Sequence, residues 1–83
     1  MDEQNLIIAF DSSQQALRAE MILEEEPIAI ELCPTPKEIT AGCALCIAFS
    51  ETEFERVQTI VERERIEIRG IFRKSGPDYN QLT

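Results

Sequence analysis

The sequence predicts a small α+β domain in which two helices cover one face of a four-stranded antiparallel sheet. Three observations predict this class. Four short stretches have the apolar content or the two-residue alternation of strands, and two longer stretches carry apolar residues at helical spacing. These segments follow the order strand, helix, strand, strand, helix, strand. The 83 residues are enough for one domain, which we expect to span residues 1–73, followed by a flexible tail at 74–83.

The first strand and the first helix are predicted from an apolar run and the polar residues that follow it. Residues 6–10 are apolar and partly β-branched, and the sequence Asp-Ser-Ser comes directly after them, which is typical of a buried strand. Ser12 and Gln15 have the spacing of a capping box. A helix is therefore expected over 13–25, and Pro27 ends it.

Two strands flank a loop that contains two prolines. Residues 28–33 alternate with a period of two, so Ile28, Ile30 and Leu32 are expected to face the core. The Pro-Thr-Pro sequence at 34–36 requires an extended connection, because each proline restricts the residue before it and lacks an N–H group. The third strand is expected over 43–49, with large side chains on one face and small ones on the other.

The second helix and the last strand follow the same logic. Ser50 and Glu53 have the spacing of a second capping box, and apolar residues continue at helical spacing until about Arg65. Residues 66–69 alternate and predict the fourth strand, and Gly70 is expected to mark a bulge or a bend in it.

This order of elements is that of a ferredoxin-like βαββαβ sandwich. In that topology the first and third strands are central, so small apolar residues form a strip on the face that the helices leave uncovered. The strip consists of Ile7, Ala9, Ala44, Cys46 and Ala48. It predicts either ordinary surface or a face for self-association, and a homodimer through the open sheet face is therefore one alternative.

Composition and charge exclude several classes of function. With 16 acidic and 8 basic side chains the net charge is −8, and an acidic surface repels nucleic acid and anionic lipid. No segment is long and apolar enough to predict a membrane span or a secretory signal, so we expect a cytoplasmic location. The absence of histidine excludes Ser-His-Asp and Cys-His catalysis. A classical hydrolase or transferase is therefore the least favoured class, and no cofactor is expected.

The three cysteines predict free thiols, because a disulfide framework normally uses an even number. Cys43 and Cys46 form a Cys-x-x-Cys sequence, but alternation along a strand places them on opposite faces. Cys33 and Cys46 are expected on the same face, diagonally and roughly 7 Å apart. That separation is too large for a relaxed disulfide. A zinc site of three cysteines and Glu38 matches no strong spacing pattern, and the alternative that Cys33 and Cys46 are small core residues stays open.

Cys43 is the candidate functional thiol. It follows Gly42, which permits close backbone approach or a positive φ, and it closes the proline-containing loop at the mouth of a strand. Thr40 and free N–H groups at 41–43 would form an anion-binding concavity, with Lys37 as a counter-charge. Such surroundings favour the thiolate and hence nucleophilic or persulfide chemistry.

Several segments are similar to a known family. They are Phe10-x-Ser12, Ala16-Leu17-x-Ala19-Glu20, the block Pro34-Thr35-Pro36-Lys37-Glu38-Ile39 and Cys43. Over about residues 6–73 the chain resembles the selenium/sulfur (Se/S) carrier protein-like family, a domain of unknown function. The resemblance implies a small protein that carries sulfur or selenium on a cysteine, matched here by Cys43. Two departures are Ala44, where the family pattern has glycine, and the additional Cys46.

The resemblance and the residues together define the candidate site. It comprises Cys43 as the carrier thiol, Cys46 as a resolving thiol, and the binding residues Lys37, Glu38, Thr40 and Gly42. The partner expected for a carrier is a protein sulfur donor such as a cysteine desulfurase. The alternatives are a non-catalytic interaction or self-assembly module and a small thiol redox or metal-binding protein.

Overall fold

The computed structural model describes residues 5–39 and 41–83, which form two helices and a five-stranded antiparallel sheet. The elements are β1 (Leu6–Ala9), α1 (Ser13–Glu25), β2 (Ile30–Pro34), β3 (Leu45–Phe49), a short 3₁₀ helix (Glu51–Glu53), α2 (Phe54–Arg63), β4 (Gly70–Ser75) and β5 (Asp78–Gln81). The strands lie in the order β2-β3-β1-β4-β5. The α+β class is confirmed, whereas the prediction of four strands is wrong.

The extra strand arises at the C-terminal end of the described chain. Residues 66–69, predicted as the fourth strand, are irregular, and β4 begins where a bend was expected, at Gly70. Part of the segment predicted as a tail forms β5, which pairs with β4. A turn at Gly76, whose φ is 61°, joins the two strands. Ile66 and Ile68 alternate like strand residues because both pack on the core next to the helices.

The sheet separates two apolar clusters. The first, the helix-side core, lies between the sheet and both helices; its largest fully buried members include Leu6, Ile8, Phe10, Leu23, Ile47, Phe49, Val57 and Ile71. The second, the loop-side cluster, lies on the other face; it consists of Ile7, Ala9, Ile39 and Cys46, with Cys33, Ala41, Phe72 and Tyr79 packed against them. Both faces of the central strands are therefore covered.

The loop-side cluster includes or covers most of the apolar strip predicted to lie on the open face of the sheet. Ile7, Ala9, Cys46 and Ala48 are all buried, and only Ala44 is exposed. Ile39, from the loop between β2 and β3, is 5% exposed and packs over this face. Most of the strip is therefore buried within the chain, because loop and hairpin residues cover the face that the helices leave open.

Helix ends are fixed by side chains and by backbone conformation. The hydroxyl of Ser12 accepts the Gln15 N–H at 3.3 Å and caps α1, as the sequence predicts. The guanidinium of Arg18 donates to the Glu64 carbonyl at the end of α2, with a distance of 2.8 Å, and so joins the two helices.

In the part of the chain covered by 5–39 and 41–83, neither helix has the length and hydropathy that crossing a bilayer requires.

Candidate functional site

The loop between β2 and β3 is anchored at its base by Thr35. The Thr35 N–H donates to the Ala44 carbonyl at 2.8 Å, and the Thr35 hydroxyl donates to the Cys43 carbonyl at 3.1 Å. These bonds extend the pairing of the two strands beyond Pro34 and position the backbone on either side of the Cys43–Ala44 peptide. Sequence reasoning missed this role, although Thr35 is the one residue of the Pro-Thr-Pro sequence with both a backbone and a side-chain donor.

Gly42 lies against the end of β1, where the chain turns into α1. Its N–H donates to a carboxylate oxygen of Asp11 at 3.2 Å. A Cβ atom at this position would lie 2.5 Å from the Asp11 carbonyl oxygen. The close backbone approach predicted for Gly42 is therefore present, whereas a positive φ is found only at Gly76 among the glycines described.

Cys43 belongs to the helix-side core and is 6% exposed. Its N–H donates to the Phe10 carbonyl at 3.1 Å, and its sulfur accepts the Leu45 N–H at 3.3 Å. The prediction of a concavity with free donors is wrong at 42 and 43, because Asp11 and Phe10 already accept these two N–H groups.

The predicted binding residues of the loop are less organised than Gly42. Lys37 and Glu38 are exposed in a turn, and within 5–39 and 41–83 the Lys37 side chain forms no ion pair or hydrogen bond. Thr40 lies outside the described residues. Glu38 does affect a neighbouring group. The pKa of Tyr79 is raised, first by the burial of Tyr79 and then by the negative charge of Glu38.

Cys33 and Cys46 are direct partners across the β2–β3 pair, and their sulfur atoms are 3.1 Å apart. The predicted diagonal arrangement is wrong because Ile30 rather than Ile28 lies across from Phe49, a shift of two residues that keeps every side chain on its face. Cys46 is fully buried and Cys33 is half-buried. Burial, followed by the interaction with Cys33, raises the pKa of Cys46 to about 12.

The two ends of the Cys-x-x-Cys sequence lie on opposite sides of the sheet, as alternation predicts. Cys43 packs in the helix-side core, and Cys46 packs in the loop-side cluster beside Cys33. The structure thus brings Cys46 to Cys33, a pairing that sequence reasoning considered too loose. Among the described residues, no group of three or more Cys, Asp or Glu side chains is placed to hold a metal ion.

A groove of about 690 Å³ lies beside the start of α1. Its lining residues are Asp11, Ser12, Gln14, Gln15, Ile66, Glu67 and Ile68. No cysteine lines this groove, but Asp11 forms part of its wall and also binds the N–H of Gly42. The groove therefore adjoins the backbone that leads into Cys43.

Comparison with known proteins identifies one family. Its description is "Putative Se/S carrier protein-like", and its model matches residues 5–73. No curated protein and no solved structure matches the chain. The matched range contains the loop and all three cysteines, and it ends within β4.

Proposed function

The chain belongs to the Se/S carrier protein-like family, and from this membership we propose that it carries a sulfur or selenium atom bound to Cys43. The hydrogen bond from the Leu45 N–H to the Cys43 sulfur is the observation that supports this residue. A persulfide is anionic near neutral pH, and a fixed N–H donor stabilises an anion. For Cys46, burial and the interaction with Cys33 raise the pKa and so favour the neutral thiol.

The proposed transfer is a thiol exchange between two proteins. The Cys43 thiolate attacks the terminal sulfur of a persulfide on the donor, a bond forms between the Cys43 sulfur and that atom, and the bond to the donor cysteine breaks. The donor cysteine leaves as a thiolate and takes up the proton that Cys43 has released. A cysteine desulfurase is the class of donor that supplies such a persulfide, and a net charge of −8 favours a partner with a basic docking surface.

Access to Cys43 requires the backbone at 42 and 43 to move. Three hydrogen bonds hold this segment: Gly42 to Asp11, Cys43 to Phe10, and Thr35 to Cys43. Each contributes about 0.5–1.5 kcal/mol net, so local opening costs only a few kcal/mol. We infer that a bound donor opens this segment, and that the closed form shields the loaded sulfur from other thiols.

The experiment is intact-protein mass spectrometry after incubation with a cysteine desulfurase and cysteine. Wild type should gain one sulfur atom, the Cys43→Ser variant should gain none, and the matched Cys33→Ser variant should load like wild type. Dithiothreitol should remove the added mass, which distinguishes one sulfur atom from two oxygen atoms of nearly equal mass. A wild-type protein that gains no sulfur, or loading that survives Cys43→Ser, would contradict the proposal.

A further inference from the structure

The Cys33–Cys46 pair lies apart from the proposed carrier thiol, on the opposite side of the sheet. Directly opposite residues in an antiparallel pair have Cα atoms about 4.5–5.5 Å apart, within the range that disulfides span. The two sulfur atoms are already 3.1 Å apart. A bond of about 2.05 Å therefore needs an approach of about 1 Å and no change of register.

The two thiols differ in exposure, which decides which of them reacts first. Cys33 lies on β2, an edge strand, and is half-buried, so it is the more accessible of the two thiols. Cys46 lies on the inner strand β3 and is fully buried. The first attack on an external disulfide therefore belongs to Cys33, and the second step, inside the protein, belongs to Cys46.

We propose that Cys33 and Cys46 form a redox-active dithiol that is converted reversibly to a cross-strand disulfide by exchange with small disulfides. The Cys33 thiolate attacks one sulfur of the external disulfide, that disulfide breaks, and the first thiolate leaves. Cys46 then attacks the Cys33 sulfur, the mixed disulfide breaks, and the second thiolate leaves. The two leaving thiolates take up the protons of Cys33 and Cys46, so the protein loses two electrons and the external disulfide gains them.

The second step is favoured by proximity and by the loss of a negative neighbour. The hydrogen bond to Cys33 and the charge of its thiolate both help to keep Cys46 protonated. Once Cys33 is part of a mixed disulfide, that thiolate charge is gone and its sulfur is the electrophile. The reacting atoms start in contact, so the internal step has a high effective concentration.

A natural optical reporter sits in the same cluster. Tyr79 packs in the loop-side cluster with Cys33 and Cys46, and both cysteines contribute to its raised pKa. The chain has one tyrosine and no tryptophan. Its intrinsic fluorescence therefore reports directly on the surroundings of this pair.

The test begins with reduced protein incubated with oxidised glutathione, followed by alkylation and intact mass measurement. The number of alkylated thiols in wild type should fall from three to one, with a loss of two hydrogens and no retained glutathione. Cys46→Ser should stop with one glutathione on Cys33, and Cys33→Ser should take up none at Cys46. Cys43→Ser is the matched control and should form the disulfide like wild type, with the same change in Tyr79 fluorescence.

Peptide mapping of the non-reduced protein gives the position of the bond. Trypsin cuts after Lys37, so a disulfide between Cys33 and Cys46 joins peptides 19–37 and 38–56 under non-reducing conditions. In Cys43→Ser this linkage has a single assignment. A wild-type protein that keeps all three thiols, that holds a stable glutathione adduct, or that links Cys33 to Cys43 would overturn the proposal. Sulfur loading at Cys43 is measured separately, so failure of either proposal leaves the other intact.

Discussion

At the scale of single residues, the three cysteines have three different environments. Cys43 is buried in the helix-side core but accepts a backbone N–H, Cys46 is buried with a raised pKa, and Cys33 is half-buried on an edge strand. Reactivity of a cysteine follows its exposure and the stability of its anion. The proposed carrier chemistry and the proposed dithiol chemistry therefore use different residues on different faces.

Gly42 controls the position of Cys43, which gives the first prediction. Gly42→Ala introduces a methyl group 2.5 Å from the Asp11 carbonyl oxygen, and backbone must move to relieve the contact. We expect the free energy of unfolding to fall by about 1–3 kcal/mol, measured by urea denaturation. We also expect faster reaction of Cys43 with iodoacetamide, measured with Cys33 and Cys46 both replaced by serine.

The control for this prediction is Ala44→Ser, a small change at an exposed residue on the other side of Cys43. It should alter neither stability nor alkylation rate by a measurable amount. If Gly42→Ala behaved like this control, the contact with Asp11 would not hold the loop in place.

At the scale of elements, periodicity predicts faces but not partners. The predicted faces of β2 and β3 are correct, and Cys43 and Cys46 lie on opposite sides as expected. A shift of two residues in register leaves every side chain on its face, so alternation alone could not show that Cys33 meets Cys46. In the structure β2 begins at Ile30, two residues later than the alternation predicts.

The same limit explains the missed parts of the candidate site. Gly42 could be predicted because glycine before a strand indicates close approach or unusual backbone. The partners of Gly42 and Cys43, Asp11 and Phe10, are distant in sequence and meet them only when β1 and β3 pair. β5 was missed because its sequence, Asp-Tyr-Asn-Gln, has a single aromatic residue and the polarity of a tail.

The C-terminus of α2 gives the second prediction, which concerns a residue in the left-handed conformation. Arg65 has a φ of 54°, its N–H donates to Glu62, and the N–H of Ile66 donates to Val61. This is a Schellman motif with arginine in the position that glycine normally occupies. The left-handed conformation costs a non-glycine residue about 1–2 kcal/mol. Glycine at this position would avoid that cost, but it would lose more conformational freedom on folding, which cancels part of the gain.

Arg65→Gly should therefore raise the free energy of unfolding by about 0.5–1 kcal/mol. Thermal unfolding followed by circular dichroism measures the effect. Arg69→Gly is the matched control, because it removes the same side chain and charge where φ is not positive, and it should lower stability. Equal effects of the two substitutions would mean that the left-handed residue is not strained.

At the scale of the whole molecule, the sheet has two covered faces of different origin. The helices cover one face, and the β2–β3 loop together with the β4–β5 hairpin covers the other. The family match ends at residue 73, so β5 lies beyond it. β5 nevertheless supplies Tyr79 to the loop-side cluster, and the N–H of Leu82 donates to the Ile71 carbonyl at 2.7 Å.

A chain that ends at Ser75 tests whether β5 is an integral part of the fold or an addition to it. We expect this chain to fold, because β1 to β4 retain their pairing and the helix-side core keeps its buried residues. Loss of the partly buried Tyr79 and Leu82 should lower the free energy of unfolding by about 2–4 kcal/mol. Urea denaturation followed by circular dichroism measures this loss.

Asn80→Ala, an exposed change within β5, serves as the control and should have little effect. Removal of β5 also uncovers the loop-side cluster, so reaction of Cys33 and Cys46 with oxidised glutathione should become faster. A truncated chain with unchanged stability would show that β5 contributes nothing to this face, and an unfolded one would show that four strands do not suffice.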